Sequence, residues 1–411
     1  MNTLPRYDDA LSRVLLAVPV IGQTLVPLHA ARGRVLAQDI TADRDQPPFD
    51  RSAMDGFAVR SERIGTSTTT FRIDGSVPAG ASPVHFTTPV PEGCVRRIAT
   101  GAPLPAGCDA TIPIEVARVS SDGLSVTFNV DRAAPWQNIH RRASDASRGD
   151  VVLPRGTVLA PAHLGIAAAV GCAELAVARP VRVTILTTGD ELRDASVPTD
   201  ALEPQQVRNS NSPMLAALLE SLLPGAGAVV MIQHTPDDAQ QTLAAAREAL
   251  SRSHLVVTTG GVSVGERDAL PWAWKQLGLE CVLAGAAIQP GKPVLVMRDD
   301  NKLVLGLPGN PVSVLCTAHL FLWPVVRRML GVLPEALPWH DAVLAEDVKA
   351  SSKREVFRAG ATQSDGSVRV IPWHGSGDLV HTAGADVWVR LPLQDEPITA
   401  GTIVRTLAMI R

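Results

Sequence analysis

The chain has 411 residues, which at roughly 150 residues per domain predicts about three domains. Its 38 basic and 41 acidic side chains leave a formal net charge of −3, and aromatic residues make up only 4%, so neither a phosphate-neutralising nor a base-stacking nucleic-acid surface is expected. The hydrophobic fraction of 45% is sufficient for packed cores and excludes a largely disordered chain.

The compartment is indicated by the cysteines and by the apolar stretches. Five scattered cysteines contain no CxxC pair, which argues against a zinc site or a disulfide scaffold and favours a reducing compartment. The N-terminus is typical of an amphipathic helix rather than a signal peptide, and the apolar stretch 164–178 is too short to cross a bilayer and contains Glu174. We therefore expect a cytoplasmic protein with no nucleic-acid and no membrane partner.

The first part of the chain changes its pattern twice. Residues 1–45 begin with a helical face that contains Leu11, Val14, Leu15 and Val18. From Gln46 short alternating runs, such as 71–73 and 126–130, predict a β-rich module, and a strand and a helix follow in 151–177. The interpretation is a discontinuous, elongated dimerisation domain (1–45 and 146–178) interrupted by an inserted β module (46–145).

The second part predicts an α/β domain followed by a small β-barrel. In 179–329 strands alternate with helices, which is typical of a parallel sheet with helices on both faces. In 330–411 short strands and turns, at 368–371, 387–391 and 403–407, predict the barrel. The fold class is thus multidomain α/β plus β.

Candidate ligand-binding residues follow two of the predicted sheet strands, and ligands bind at the carboxyl edge of such sheets. Asp190 and Glu191 follow the strand that contains ILTT. They are either ligand-binding acids or solvated acids at the end of a strand. After VVTT, backbone amides of a glycine-rich turn are suited to hold a phosphate, and the acids Glu266 and Asp268 beside an anion indicate a bridging Mg²⁺. The residues of this turn are Gly260, Gly261, Ser263 and Gly265.

Other candidates lie in turns, and each has a structural alternative. The turn 306–311, with Pro308, Gly309 and Pro311, is either a rigid structural turn or a turn whose backbone comes close to a bound ligand. Lys292 is either a solvated lysine or an oxyanion contact. In the β module the candidates are Asp55, which also fits an Asx turn, the hydroxyl of Thr100, and the run Arg141, Arg142 and Asp145, which also fits a solvated face. No HExxH or GxSxG motif supports a zinc protease or an α/β-hydrolase.

Seven motifs in order carry a family resemblance that runs from about Pro5 to the C-terminus: PPFDRSAMDGFAVR, TGAPLPAGCDA, TTGDEL, SNSPML, TTGGVSVGERD, QPGKPV and GLPGNPVSV. The chain resembles the MoeA-type molybdopterin molybdenumtransferases, to which the E domain of gephyrin is related. The resemblance implies four domains per subunit, with a molybdopterin-binding sheet domain like that of the molybdopterin adenylyltransferases, and an elongated homodimer. It implies an active cleft between the sheet domain of one subunit and the β module of the other.

The resemblance also implies the reaction and the site. Adenylylated molybdopterin and molybdate react to give molybdenum cofactor and AMP with the help of Mg²⁺, and the adenylyltransferase and molybdoenzyme apoproteins or their chaperones are implied as partners. Glu191 and Asp268 match the acids needed for activity and are interpreted as metal ligands, and Asp55 and Thr100 match β-module residues that face the cleft. The remaining matches are Asp145, Asp237 or Asp238 with the register open, Lys292, Pro308, Pro311 and Ser376.

The chain departs from the family pattern at several positions that usually carry charge. His140 replaces an arginine of the basic run, Ala143 and Ser144 replace Gly-Glu, Gly285 and Gln289 replace lysines, and Asn209 replaces an acid. Each lost cation near an anion site weakens binding by about 1–3 kcal/mol. On the family resemblance, the leading hypothesis is a molybdenum insertase. The lost cations motivate the first alternative, a non-catalytic molybdopterin or cofactor carrier or scaffold. The second alternative is an unrelated nucleotide-dependent transferase on the same sheet fold.

Overall fold

The computed structural model describes residues 4–65, 69–222, 229–261, 269–334 and 336–410, which divide into two compact units. Unit one consists of Met1–Gln38, Arg155–Leu164 and Ala173–Arg411, and unit two of Asp39–Pro154 and Gly165–Cys172. Within the described ranges, no helix combines the length and the apolar character that a membrane span requires.

A six-stranded sheet forms the centre of unit one, with the strands in the spatial order Val229–Thr235, Arg182–Thr188, Leu255–Thr259, Leu303–Leu307, Leu295–Arg298 and Glu280–Ala284. The first four strands are parallel, as predicted. The last two strands, for which the sequence analysis gives no direction, pair antiparallel, so the sheet as a whole is mixed. A tight turn in which Asp299 Oδ1 accepts the N–H groups of Asn301 and Lys302 reverses the chain, and such a connection is too short for a crossover helix.

Helices cover both faces of this sheet, as the alternation of buried side chains requires. Ile185 and Val257 belong to one apolar core, whereas their neighbours Leu186 and Val256 belong to a second core on the opposite face. The helices of unit one are Tyr7–Leu16, Asn211–Leu222, Ala239–Arg252, Ala269–Gln276, Pro311–Thr317, the π-helix Ala318–Leu322 and Trp323–Met329, with 3-10 turns at Leu28–Ala30, Thr199–Ala201 and Val380–Gly384. The helix Pro161–Ala169 runs from unit one into unit two.

The strands after residue 330, together with the short strand Ile288–Gln289, form a second sheet of unit one. Its strands are Ile288–Gln289, Trp339–Val343, Glu355–Thr362, Val368–Val370, Val387–Leu391 and Ile403–Ala408. A bridge between Leu344 and Val368 joins the two ends of this sheet and closes it into a small barrel, in agreement with the predicted fold class. Two smaller pairs complete unit one: Gln23–Pro27 with Glu174–Ala178, and Leu192–Arg193 with Val207–Arg208.

The N-terminal helix packs against the apolar core of unit one that contains Ile185 and Val257, as its apolar face predicts. Val14 and Val18 are buried, and Leu11 and Leu15 are half-buried against the same core. Polar contacts also hold this helix: Arg390 donates to both carboxylate oxygens of Asp8, at 3.0 and 2.7 Å.

Unit two is a β module with its own apolar core. Its six strands lie in the order Ala110–Pro113, Gly56–Val59, Cys94–Ile98, Thr70–Val77, Ser125–Phe128 and Ala117–Val119. The predicted runs 71–73 and 126–130 begin inside neighbouring antiparallel strands of this sheet, whose core includes Phe57, Phe71 and Val126. Unit two also contains two short strand pairs, Ile40–Thr41 with Val151–Leu153 and Arg51–Ser52 with Ile139–His140. It further contains the helix Val84–Thr87 and 3-10 turns at Ser61–Arg63 and Ile114–Val116.

A buried histidine makes the stability of unit one depend on pH. The Nε2 atom of His319 accepts the N–H of Ile410 at 3.0 Å, so Nδ1 carries the proton and donates to the carbonyl of Leu315 at 2.8 Å. Burial lowers the pKa of His319 to about 4. Since the unfolded chain takes up the proton at about pH 6.5, the folded state loses stability as the pH falls from there to about 4.

We expect this loss to reach about 3 kcal/mol in wild-type protein and to be largely absent from a His319→Gln variant, whose side chain does not titrate. Urea unfolding at pH 7.0 and pH 4.5 measures it for both proteins. If the free energy of unfolding changed equally with pH in both proteins, His319 would not be the source of the pH dependence.

Candidate active site

Loops that follow neighbouring strands meet at the carboxyl edge of the central sheet. Asp190 follows the strand Arg182–Thr188, and Asp237 follows Val229–Thr235. Each of these aspartates accepts the backbone N–H of the other, at 3.2 and 3.4 Å, which ties the two loops together. Asp238 lies differently, because its carboxylate accepts the N–H of Gln241 at 2.8 Å and caps the helix Ala239–Arg252. The register that the sequence leaves open thus places Asp237, not Asp238, against Asp190.

Glu191 lies beside this pair and its carboxylate is exposed. Gly189 has a φ of +138°, and a Cβ at this position would lie 2.6 Å from Oε2 of Glu191. The backbone conformation therefore favours glycine, and the short distance shows that the Glu191 carboxylate lies close to the end of the strand. Its predicted metal-binding counterpart, Asp268, lies outside the described residues.

Glycines at the end of the next strand bring the backbone close to the turn 306–311. Gly260 and Gly261 both have positive φ, 79° and 60°, and the N–H of Gly260 donates to the carbonyl of Leu307 at 3.2 Å. A Cβ on Gly309 would lie 3.7 Å from the Cα of Gly260, so the glycine turns are in close proximity. The predicted phosphate contacts Ser263 and Gly265 lie outside the described residues.

Two asparagines that the sequence analysis did not single out hold the turn. Asn211 donates from Nδ2 to the carbonyl of Gly309 at 2.8 Å, and its Oδ1 atom is buried without a hydrogen-bond partner in the part of the chain that the structure describes. Asn310 donates to Oγ of Ser376 at 2.8 Å, and the N–H of Val312 donates to the Ser376 carbonyl at 3.0 Å. The structure therefore brings the predicted residues Gly260, Gly309 and Ser376 together, with Pro308 and Pro311 in the same turn.

Lys292 is exposed in the loop between Ile288–Gln289 and Leu295–Arg298. Its carbonyl accepts the N–H of Ala286 at 3.0 Å, whereas the structure gives its ammonium group no contact with the other described candidates.

Two of the family departures have local structural reasons. Gly285 has a φ of +97°, and a Cβ there would lie 3.1 Å from Leu4 Cδ2 and 3.2 Å from the Lys292 carbonyl oxygen, so a lysine would strain the backbone and displace Leu4. Asn209 accepts the N–H of Ser212 at 3.1 Å through Oδ1 and donates to Oγ of Ser212 at 2.9 Å. The amide thus makes the helix-start contact that an acid also makes.

In unit two, Asp55 and Thr100 are in direct contact. Both the N–H and the hydroxyl of Thr100 donate to Oδ1 of Asp55, at 2.7 and 3.0 Å. These two bonds lower the pKa of Asp55, backbone donation being the larger cause, and keep the carboxylate ionised. Asp55 also lines an open pocket of about 370 Å³ together with Arg97 and Ser76. The Asx-turn alternative does not account for this pocket.

The side chains of the basic run are exposed and make ordered contacts with their neighbours. The guanidinium of Arg141 lies over the Trp136 ring, 4.5 Å from its centroid. Arg142 donates from Nε to Asp45 at 2.6 Å, and Nε2 of His140 lies 3.4 Å from Oδ1 of Asp145. Positive φ values at the non-glycine residues Trp136, Asn138 and Ala143 (67°, 54° and 60°) give this segment a strained backbone of the kind found at functional sites.

Known proteins match the chain along almost its whole length. Family models match at residues 6–171 (MoeA N-terminal region, domain I and II), 184–328 (probable molybdopterin binding domain) and 341–408 (MoeA C-terminal region, domain IV). The molybdopterin molybdenumtransferase of Synechococcus elongatus is 34% identical over 98% of this chain and 99% of its own. The chain belongs to the molybdopterin molybdenumtransferase family.

Another relative and a solved structure agree with this membership. The molybdopterin molybdenumtransferase of Staphylococcus aureus strain MRSA252 is 33% identical over 98% of this chain and 95% of its own. The crystal structure of a MoeA molybdopterin biosynthesis protein from Pyrococcus horikoshii OT3 is 28% identical, covers 98% of this chain and 100% of that one, and superimposes with a TM-score of 0.83. The MoeA fold therefore extends over the chain as a whole, and the predictions of the family and of the fold class are confirmed.

Proposed function

We propose that this protein is a molybdopterin molybdenumtransferase, which inserts molybdenum from molybdate into adenylylated molybdopterin and releases AMP and molybdenum cofactor. The observation that carries the proposal is full-length similarity to proteins of that name, combined with exposed carboxylates beside glycine turns at one edge of the sheet. The N–H of Gly260 is bonded to Leu307, and we assign the N–H of the adjacent Gly261 to the phosphates of the substrate. The turn that contains Pro308, Gly309 and Pro311 packs closely against the turn that begins with Gly260.

The donor atoms at this edge fit Mg²⁺, which prefers oxygen ligands and is commonly held by one or two carboxylates together with substrate phosphates. Among the described residues, Asp190 and Asp237 are hydrogen-bonded to each other's backbone and the exposed Glu191 follows Asp190 in the chain. We assign Glu191 and Asp268 to hold the ion. When bound, Mg²⁺ polarises the phosphoanhydride of the adenylylated substrate.

The β module contributes an anion and cations of its own. Ionised Asp55, oriented by Thr100, lines the same pocket as Arg97, so the pocket presents an acceptor and a donor to a polar substrate. Arg141, Arg142 and Asp145 lie on the strained segment, and we assign them to substrate binding with Ser376 and Lys292. At the open register we assign Asp237 rather than Asp238, because Asp237 bonds to Asp190 and the Asp238 carboxylate caps a helix. His140 keeps an ionic contact to Asp145 when it is protonated, so its replacement of an arginine lowers the positive charge without removing the contact.

We also propose that the protein is a cytoplasmic homodimer that receives its substrate from a molybdopterin adenylyltransferase and passes the product to molybdoenzyme apoproteins or their chaperones. The discontinuous domain (1–45 and 146–178) is assigned to dimerisation, followed by the inserted module 46–145, the α/β domain 179–329 and the barrel domain 330–411. The exposed apolar residues Leu16, Val20 and Leu25 support a covered surface in the first of these domains. Sedimentation at twice the mass of one chain supports the homodimer, and a monomer contradicts it.

Single-turnover AMP release tests the proposed function. Protein loaded with adenylylated molybdopterin is mixed with molybdate and Mg²⁺ together, with each alone, and with neither. We expect rapid release only with both, which would also mean that Gly285 and Gln289 replace the usual lysines without loss of turnover. Tight pterin binding with no release at any molybdate concentration would instead support the carrier, and nucleotide turnover without pterin would support the unrelated transferase.

A further inference from the structure

A loop of the C-terminal domain brings two histidines to one aspartate. Oδ2 of Asp378 lies 3.0 Å from Nδ1 of His374, and Oδ1 lies 2.7 Å from Nδ1 of His381. The two imidazole rings are close as well, with centroids 5.0 Å apart and a nearly perpendicular arrangement. One ligand atom from each of the three side chains lies within 4.8 Å of the other two. This is the one such group of three among the described residues.

The loop backbone fixes the carboxylate at the centre of the cluster. The N–H groups of His374 and His381 donate to its two oxygens at 2.9 and 3.4 Å, and the Asp378 side chain is only 14% exposed. These backbone and ring donors hold the pKa of Asp378 far below its usual range, so the carboxylate stays ionised. The rings of His374 and His381, by contrast, are 84% and 50% exposed. A fixed anion between two accessible imidazoles is a preorganised ligand set rather than a buried structural contact.

We propose that His374, Asp378 and His381 form a binding site for a divalent first-row transition metal ion of the Zn²⁺ type. One nitrogen of each imidazole and one carboxylate oxygen are the ligands, and a mixed nitrogen and oxygen set selects such ions over Mg²⁺ and Ca²⁺. Three protein ligands leave a fourth tetrahedral position for water. This site is separate in residues and in chemistry from the proposed Mg²⁺ site at the sheet edge.

The distances require the side chains to rearrange when the ion binds. Two ligands at about 2.0–2.1 Å from a tetrahedral ion are about 3.3 Å apart. The nitrogen–oxygen separations of 3.0 and 2.7 Å run to different carboxylate oxygens, and one ligand atom of each side chain lies within 4.8 Å of the other two, so the rings must move to bring both nitrogens close to one oxygen. The exposed rings make this adjustment by side-chain rotation. Since each Nδ1–H now donates to the carboxylate, coordination through Nδ1 requires the ring proton to move to Nε2, which leaves a neutral imidazole as the ligand.

The position of the cluster connects it to the turn 306–311. Ser376 lies between His374 and Asp378 in the chain, and its carbonyl and hydroxyl oxygens accept bonds from Val312 and Asn310. An ion bound to the loop restrains the backbone on both sides of Ser376. We therefore expect metal binding to slow hydrogen exchange in residues 374–381 and at the N–H of Val312.

Calorimetric Zn²⁺ titration of untagged, chelator-treated full-length protein tests the site. We expect one Zn²⁺ per chain, and we expect His374→Gln/His381→Gln to bind at least about 100-fold more weakly. A double variant at two other exposed histidines, His29→Gln/His340→Gln, is the matched control and should bind as wild type does.

Both histidine variants change exposed side chains and leave Asp378 with its backbone donors, so the fold is expected to be retained. Asp378→Asn is the second test and should also weaken Zn²⁺ binding, with circular dichroism to establish that the variant is folded. Equal affinity of wild type and the His374/His381 variant, or no stoichiometric binding by wild type, would overturn the proposal. Because Zn²⁺ binding is measured without pterin, molybdate or AMP, its outcome does not depend on the proposed function.

Discussion

Glu191→Gln is expected to reduce single-turnover AMP release by at least about 100-fold, the scale on which loss of a group that stabilises transition-state charge acts. The substitution keeps the size of the side chain and its contact with Gly189, and it removes only the charge. Rates are measured with saturating adenylylated molybdopterin, molybdate and Mg²⁺. The variant should bind the pterin substrate and unfold at the wild-type temperature, because the carboxylate is exposed and takes no part in a core.

Glu280→Gln provides the matched control for this prediction. Glu280 is also exposed and lies on the same sheet, but it is in the outer strand Glu280–Ala284. It should therefore release AMP at the wild-type rate. If Glu191→Gln also released AMP at the wild-type rate, the carboxylate would have no role in turnover.

Gly56→Ala is expected to destabilise unit two by about 3 kcal/mol or more, at the upper end of the cost of overpacking. Gly56 begins a strand that lies between two others, and a Cβ there would lie 2.0 Å from the carbonyl oxygen of Ile112 and 3.0 Å from the Cα of Pro113. Both contacts are backbone, so the two strands have to separate for the methyl group to fit. Urea unfolding combined with hydrogen exchange in the strand Gly56–Val59 measures the effect.

Gly65→Ala in the same unit is the control, because no atom lies within 4 Å of a Cβ at that position. Its free energy of unfolding should remain within about 0.5 kcal/mol of wild type. A wild-type unfolding midpoint for Gly56→Ala would mean that the strand pair tolerates the added methyl group, contrary to the geometry described here.

The sequence predicts the elements of this protein well where local pattern determines structure. The helical spacing of Leu11, Val14 and Leu15 and the alternation in the two β runs lead to elements that the structure contains, because these periods reflect which face is buried. Neither the strand Leu295–Arg298 nor its direction is identified by the sequence analysis. Strand direction depends on the turn that follows, and the bonds of Asp299 that form this turn become visible only in the structure.

The site is predicted less completely, because residues far apart in the chain form it. Motif order correctly indicates the family, and the roles of Glu191, Asp55 and Thr100 remain predictions. The reciprocal bonds of Asp190 and Asp237 join residues 47 positions apart and have no local signature. Gly285 has a left-handed backbone and lies against Leu4, which is far away in the chain, so the reason that a lysine is unfavourable there is not visible in the sequence. The spacing of His374, Asp378 and His381 matches no familiar metal-binding motif, so only the loop conformation brings the cluster together.

The bond between Asn310 and Ser376 also has a consequence for the time course of synthesis. The two residues are separated by 66 positions, which a ribosome covers in roughly 3 to 13 seconds at about 5–20 residues per second. During this interval all six strands of the central sheet have been made, yet the turn that contains Asn310 lacks its serine acceptor. A nascent or interrupted chain is thus able to build the sheet before the turn reaches its final conformation. The chain must therefore be made as far as Ser376, within the barrel domain, before this turn is held as it is in the complete protein.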